Sequence, residues 1–354
     1  MNHTGSRSFD VVCLGHALVD VQACVPQSFL ETHSLPKNAQ QLIDPVKAAW
    51  LYSVMPPGRE CSGGSGANSM VVAAALGGKT GFMGRIGIDK LGDTFASDMQ
   101  AQGVAYAPRV RTAQDDDTGR SLILVTPDGK RSMNTSLGCT GATGIEDVDD
   151  DMIRNAHILL VEGYMYDSAA NRAATEHAIG VASAAGTSIA FTLSAEGCIA
   201  RNHARFTEAI RARRFDIVVG NEEEFKALYQ TDSLDVVRTS LQRDVSLAVM
   251  TKGGDGAEII KGVQSLHVPA VAGVQVVDTT GAGDAFAGGF LYALAKGMSL
   301  PASGQVAALC AAEVISHLGA RPASNLKAVV EQALQEPVQP QPTTSVRAEC
   351  HKPV

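Results

Sequence analysis

The segment Val276-Val277-Asp278-Thr279-Thr280-Gly281-Ala282-Gly283-Asp284-Ala285-Phe286 joins an apolar run to glycines and carboxylates, and an apolar stretch follows it as far as Lys296. This order predicts a strand, Gly273 to Asp278, whose carboxyl end enters a glycine turn that opens a helix. Small residues at Gly281, Ala282 and Gly283 let successive backbone N–H groups converge on one point, where the helix N-terminus adds about half a positive charge. Such a point holds an anion. Asp284, in the first helical turn, can face that anion and accept a proton from an attacking hydroxyl. The bland alternative is an acid that only complements the helix dipole; strand, glycines and acid in this order favour the chemical role.

Three other segments carry weaker signals. Ser62-Gly63-Gly64-Ser65-Gly66-Ala67-Asn68 precedes an alanine-rich stretch, Asn68 to Leu76, that reads as a buried helix. Its glycines admit a ligand close to the backbone, and Ser65 or Asn68 can hydrogen-bond hydroxyls. Gly78-Lys79-Thr80 does not complete a P-loop, because G-x-x-x-x-G-K-[ST] needs glycine where Ala73 stands. No G-x-G-x-x-G follows the first strand, which excludes a dinucleotide-binding dehydrogenase. Asn221 and Glu224 fall three apart after the strand Asp216 to Gly220, where oxygen ligands suit hydrated Mg²⁺; on this segment alone a solvated acidic first turn is the favoured reading. Thr251-Lys252-Gly253-Gly254-Asp255-Gly256 follows the strand Ser246 to Thr251 and forms either a glycine-rich nucleotide rim or a plain turn.

The elements that must position these residues follow one rhythm. Strand-length apolar runs, also at Phe9 to Gly15, His157 to Gly163 and Ile189 to Ser194, alternate with helical periodicities such as Leu91, Phe95 and Met99. That alternation predicts an α/β fold with a doubly wound, mainly parallel sheet. Residues 17–60 and 104–140 break it; in the second, Ser121 to Thr126 and Arg131 to Thr135 flank Pro127-Asp128-Gly129-Lys130 as a hairpin. Both are assigned to a small β-sheet lid. Residues 9–16, 61–103 and 141–335 then form the main domain, and the polar, proline-rich 336–354 a disordered tail.

Composition narrows the function classes. With 354 residues, 45% hydrophobic and 19% charged, the chain is expected to be soluble and globular, and 29 basic against 37 acidic residues give a net charge of −8. There is no basic stripe for nucleic acid, and no apolar run nears the roughly 18 residues of a membrane span. Seven scattered cysteines without a C-x-x-C pair suit reduced thiols and a cytoplasmic protein, the first residues lack the apolar core of a signal peptide, and the nine histidines show no metal-ligand spacing.

Together these segments resemble the ribokinase-like (PfkB) family of ATP-dependent sugar and nucleoside kinases, from about Phe9 to Leu334, with Gly63 to Gly103 and above all DTTGAGD carrying the likeness. The resemblance implies an αβα domain with a β-sheet lid. It implies that Asp284 is the catalytic base and that Gly281, Ala282 and Gly283 hold the transferring γ-phosphoryl group of ATP. It ties Asn221 and Glu224 to Mg²⁺, through water, and to phosphate, and makes Thr251, Gly253 and Gly256 the nucleotide rim. Asp278 and Thr280 match positions beside a K⁺ site in many members, and Asp20, Gly63, Gly64 and Asn68 match residues that hold sugar hydroxyls. Arg131, in the lid hairpin, either reaches the phosphates or is a solvated edge charge.

Within that family, Leu42-Ile43-Asp44, Arg131 to Gly138 with Asn134, and Glu162-Gly163-Tyr164-Met165-Tyr166-Asp167 resemble the bacterial adenosine kinase branch. Tyr164 or Tyr166 can stack on a purine or simply pack at a strand end. His16 departs from the Asn of many relatives just ahead of Asp20, and the small-residue order Ser65-Gly66-Ala67 also differs, so both His16 and Ser65 enter the acceptor side. The expected acceptor is a small molecule, adenosine giving AMP, with a ribokinase- or fructokinase-type sugar kinase and a non-catalytic binding protein as alternatives. A monomer and a homodimer both suit a lid sheet.

Overall fold

The computed structural model describes residues 7–37, 39–108 and 117–335; the tail assigned to 336–354 lies outside them. Its strands are β1 (Phe9–Leu14), β2 (Leu18–Cys24), β3 (Ala39–Leu42), β4 (Arg59–Gly63), β5 (Thr80–Met83), β6 (Val104–Ala105) and β7 (Gly119–Val125). They continue as β8 (Arg131–Ser136), β9 (Ala156–Glu162), β10 (Ser188–Thr192), β11 (Ile217–Asn221), β12 (Leu247–Thr251), β13 (Ala257–Lys261) and β14 (Gln264–Val268).

Val11 and Cys13 pack into the core on one side of β1, while Val12 and Leu14 enter the core on the other. A strand buried on both faces needs helices above and below it, which is why it reads as a continuous apolar run. The resulting sheet has the order β14-β13-β12-β11-β10-β9-β1-β5-β6, parallel from β12 to β6. Helices Ser65–Ala75 and Ala282–Ala295 cover one face, and Ala169–Ala185, Glu196–Arg211 and Glu222–Tyr229 the other. A second sheet, β3-β8-β7-β2-β4, stands apart from it. Its β7–β8 hairpin pairs Val125 with Arg131 across Pro127 to Lys130, with Gly129 at φ 75°.

Two expectations need correction. The apolar run Gly273 to Asp278 is not a strand: Val276 and Val277 are exposed, and the N–H groups of Val277 and Asp278 donate to the Ile315 carbonyl at the end of helix Leu300–Val314. The antiparallel pair β13–β14 ends the sheet instead. The lid boundaries also shift, since residues 61–63 complete β4 of the smaller sheet and 104–105 add β6 to the larger one.

A close helix contact sets the geometry below. A Cβ on Gly288 would stand 2.3 Å from the Ser69 carbonyl oxygen, and one on Gly289 would stand 2.8 Å from the Cys310 sulfur, so Ala282–Ala295 lies tight between helices Ser65–Ala75 and Leu300–Val314. One turn toward the N-termini from the Ser69–Gly288 contact stand Ser65 and Asp284. Gly288→Ala should therefore push the helices apart and destabilise the fold by about 1–3 kcal/mol. A urea midpoint equal to that of the parent would show that the contact has room to spare.

Candidate active site

Strands β1, β9, β10, β11 and β12 all end at one edge of the large sheet, where crossover connections leave a crevice. The small sheet faces that edge, and between them lies a cleft of about 590 Å³. Asp284 is part of its lining. Gly281, at φ 76°, caps the helix N-terminus, and the N–H groups of Gly283 and Asp284 donate to no partner among the described residues. A Cβ on Gly281 would strike Ala320 at 2.7 Å, so the turn admits only glycine. Asp284 Oδ1 accepts from Ser65 Oγ (2.6 Å) and Oδ2 from Asn68 Nδ2 (3.0 Å). Burial raises the Asp284 carboxyl against these two hydrogen bonds and Arg321, which makes its ionised form a stronger base.

Two more carboxylates line the cleft. The Asp20 carboxylate makes no hydrogen bond or ion pair among the described residues, and a Cβ on Gly63 would collide with it at 2.3 Å. Gly64, at φ 94°, would in turn strike the His16 carbonyl. Glu162 is 1% exposed and accepts from the backbone N–H groups of His16 (3.1 Å) and Gly66. Burial pushes Asp20 and Glu162 each up to about 7, with the Asp284 charge adding to both and Arg321 pulling Asp20 back. The His16 ring is buried, which lowers its pKa and keeps it neutral. Asn171 Nδ2 donates to the carbonyls of Thr140 and Thr143, so its Oδ1 accepts from His16 Nε2 (3.1 Å) and fixes the tautomer with an unprotonated Nδ1. The Tyr164 ring lies nearly parallel to His16, with centroids 6.3 Å apart.

Asn221 and Thr251 are register partners in β11 and β12, so the acidic motif and the glycine turn sit side by side. Asn221 and Glu224 form a capping box: Asn221 Oδ1 accepts from Glu224 N (2.8 Å), and Glu224 Oε2 accepts from Asn221 N (2.9 Å). The other Glu224 oxygen meets no donor among the described residues, and burial pushes this carboxyl up to about 7. A carboxylate oxygen left without a donor on a largely buried side chain suits a water-mediated Mg²⁺; among the described residues no group of three or more His, Cys, Asp or Glu forms a closed metal cage. Gly253 (φ 56°) and Gly256 (φ 81°) shape the turn after Thr251 and lie outside the lining of the Asp284 cleft.

Asp278 does not fit a K⁺ site together with Thr280. Its Oδ1 accepts from Thr280 N, Thr280 Oγ1 and Arg131 Nη1 (2.6 Å), and its Oδ2 from Gly319 N. Burial raises this carboxyl, but those donors outweigh it and hold the group below the usual range. A cation already sits there, the guanidinium of Arg131, which ties the lid to the anion-hole segment.

Two expected acceptor-side residues stand elsewhere. Arg131, Met133 and Thr135 face the cleft from β8, so the alternation of the strand turns Asn134 away, where it is fully buried and accepts from Gln41 Nε2 (2.6 Å). Tyr166 packs edge-on against Phe191 and Phe206 in the core; only Tyr164 reaches the cleft. Two residues were not anticipated. Glu162 opens the segment Glu162 to Asp167 that carries the branch resemblance without assigning it a role, and Arg321 lies in a Gly-Ala-Arg-Pro connection outside every motif. Arg321 donates from Nε to Asn68 Oδ1 (3.1 Å) and from Nη1 to Ser62 Oγ (2.6 Å) and Asp98 Oδ2 (2.9 Å).

Residues 58–327 match the pfkB family carbohydrate kinase description. A probable sugar kinase of Rhizobium etli is 39% identical over 92% of this chain and 99% of its own, with a TM-score of 0.87. The adenosine kinase of Sinorhizobium meliloti shares 39% identity over the same fractions at a TM-score of 0.86. The ATP-dependent ribose-1-phosphate kinase of Halopiger xanaduensis is 30% identical over 77% of this chain and 86% of its own. Relatives of equal identity thus carry names from both the sugar and the nucleoside class. No helix among the described residues is long and apolar enough to cross a membrane, and the six described cysteines are free.

The raised Asp20 carboxyl makes stability depend on pH. Its folded-state value of about 7 lies above the unfolded value of about 3.9, so stability is lost as pH rises between the two. Asp20→Asn should melt several degrees above the parent at pH 8, with a gap that shrinks at pH 5 and closes near pH 4. Melting curves offset equally at every pH would contradict this reading.

Proposed function

The chain belongs to the pfkB family of carbohydrate kinases, a family of phosphotransferases, and within it we propose a kinase that moves the γ-phosphoryl group of Mg-ATP to a primary hydroxyl of a nucleoside, adenosine first. The observation that carries this is Asp284, which lines the cleft, held by Ser65 and Asn68 beside the open N–H groups of Gly283 and of Asp284 itself. Asp284 takes the proton of the hydroxyl as its oxygen bonds to the γ-phosphorus, and the bond to the bridging oxygen of ADP breaks. The Gly281 to Asp284 turn meets the charge that spreads over the γ-oxygens. Asn221 and Glu224 would hold Mg²⁺ through water, and the ion would supply further neutralisation of phosphate charge. Thr251, Gly253 and Gly256 rim the nucleotide, and the second sheet shields the reacting groups from water.

The acceptor side supports a nucleoside. Tyr164 and His16 give a flat ring wall, Leu42, Met133 and Leu137 line the same cleft, and about 590 Å³ exceeds what a pentose alone would fill. Asp20, Asn68 and the acceptor nitrogen of His16 suit hydroxyl groups, with Gly63 and Gly64 allowing their approach. The acids Asp20, Glu162 and Glu196 along this cleft favour a neutral acceptor over a phosphorylated or carboxylated one, while Asp167 is paired by Arg201. The second reading, a free-sugar kinase, rests on the polar lid residues Gln40 and Gln41 in the same lining.

Mg-ATP consumption against adenosine, inosine, guanosine, ribose and fructose separates the readings. Turnover with nucleosides only is the expected result; faster turnover with free sugars would replace the nucleoside assignment, and silence with all five would favour a binding protein. Asp284→Asn should keep nucleotide binding and lose about 10²-fold or more in kcat. Near-parental turnover of that variant would remove Asp284 from the role of base.

A further inference from the structure

We propose that Arg321 is a positioning residue for the phosphoryl-transfer base, acting through the Asn68 amide. The guanidinium can only donate, so the Asn68 atom that meets its Nε at 3.1 Å is the carbonyl oxygen; the ionised Asp284 can only accept, so the atom that meets Oδ2 at 3.0 Å is the Asn68 nitrogen. Cation and carboxylate thus select one and the same flip state of an amide that is 5% exposed. Without Arg321 the amide loses the partner that holds its oxygen away from Asp284, and a flipped amide would set two acceptors face to face.

Arg321 is itself fixed. Ser62 Oγ and Asp98 Oδ2 take its Nη1, and Asp98 also accepts from the Ser62 N–H. Its loop supports the anion hole from behind, since Ala320 is the atom group that a side chain on Gly281 would strike and Gly319 N–H binds Asp278. One connection therefore buttresses the glycine turn and orients the residue that orients the base. The titratable or charged groups facing Asp284 are Cys13 from β1, Asp20 from β2, Glu162 and Tyr164 at the end of β9, Glu224 from the helix Glu222–Tyr229, and Arg321. Arg321 is the cation of that set, so its loss also raises the pH at which the base becomes available.

The assignment rests on Asp284 as base, and the experiment keeps the two apart. Initial rates of Mg-ATP-dependent phosphorylation of adenosine, or of whichever of inosine, guanosine, ribose and fructose turns over fastest, are measured from pH 5 to 9. The variants are Arg321→Met, Arg321→Lys, Asn68→Ala and the double variant Asn68→Ala/Arg321→Met, with Asp284→Asn as reference. Arg321→Met should lower kcat about 10- to 100-fold and move the acid limb of the profile up by about one pH unit. Arg321→Lys should return the limb without restoring kcat, because an ammonium keeps the charge and lacks the fork. The double variant should be no slower than the slower single variant, since both changes break one chain of contacts. Parental kcat and limb in Arg321→Met, or multiplied losses in the double variant, would overturn the inference. Should Arg321→Met fail to fold by circular dichroism, Arg321→Lys decides, and parental kcat there overturns it. An active Asp284→Asn would instead defeat the base assignment, whatever Arg321 does.

Discussion

The packing of a glycine against a carbonyl, Gly288 on Ser69, is the constraint on which the reactive arrangement depends. Two helices that meet this closely have little freedom to slide, because a methyl group has no room at the contact and each helix is also packed against the parallel sheet. Fixing them there fixes what stands one turn ahead. Ser65 and Asn68 stand more than two hundred residues from Asp284 in sequence, yet their hydrogen bonds to it follow from that single register. Gly289 against Cys310 extends the constraint to a third helix, whose following loop brings Arg321 and Ala320 back to the same place.

Electrostatics then acts on a geometry already set. Asp20, Glu162, Glu224 and Asp284 are all pushed toward their protonated forms by burial, and what counters it is Arg321, the open end of the helix Ala282–Ala295, and the hydrogen-bond donors on Asp284, Glu162 and Glu224. Such a cleft is balanced by what enters it. A hydroxyl donor relieves Asp20, a divalent cation relieves Glu224, and a phosphoryl group finds the helix N-terminus, so each reactant of a phosphoryl transfer meets the part of the site that lacks its complement.

The large sheet was legible because a strand buried on both faces has no choice but to be continuously apolar, and the helices between such strands repeat with their own period. The DTTGAGD turn was legible because only glycine takes φ 76° against Ala320. The apolar run before it misled for the same reason the others informed: Val276 and Val277 have strand-like composition, but their backbone finds its partner at Ile315 and their side chains stay exposed. Asn134 shows the limit of a motif read without its strand parity, since its neighbours Met133 and Thr135 are the ones that face the cleft. Tyr166 shows that two aromatic residues separated by a single position on a short helical turn point to different surroundings. Arg321 left no local trace, and Glu162 stood in a branch-like segment without showing its role, because their partners are brought to them only by the assembled fold.

Glu162 illustrates a constraint of a different kind. Its carboxylate lies where a side chain on Gly15 or on Gly66 would come within 2.5 and 2.6 Å, and the Gly66 N–H is one of the groups it binds. The three residues are therefore not independent characters in descent. An alanine at 15 is tolerated only in a lineage that has already shortened Glu162, and one at 66 only where Cys13, whose sulfur it would meet at 2.4 Å, has given way as well. Substitution has an order here, and a chain that carries Glu162 holds its two glycines hostage.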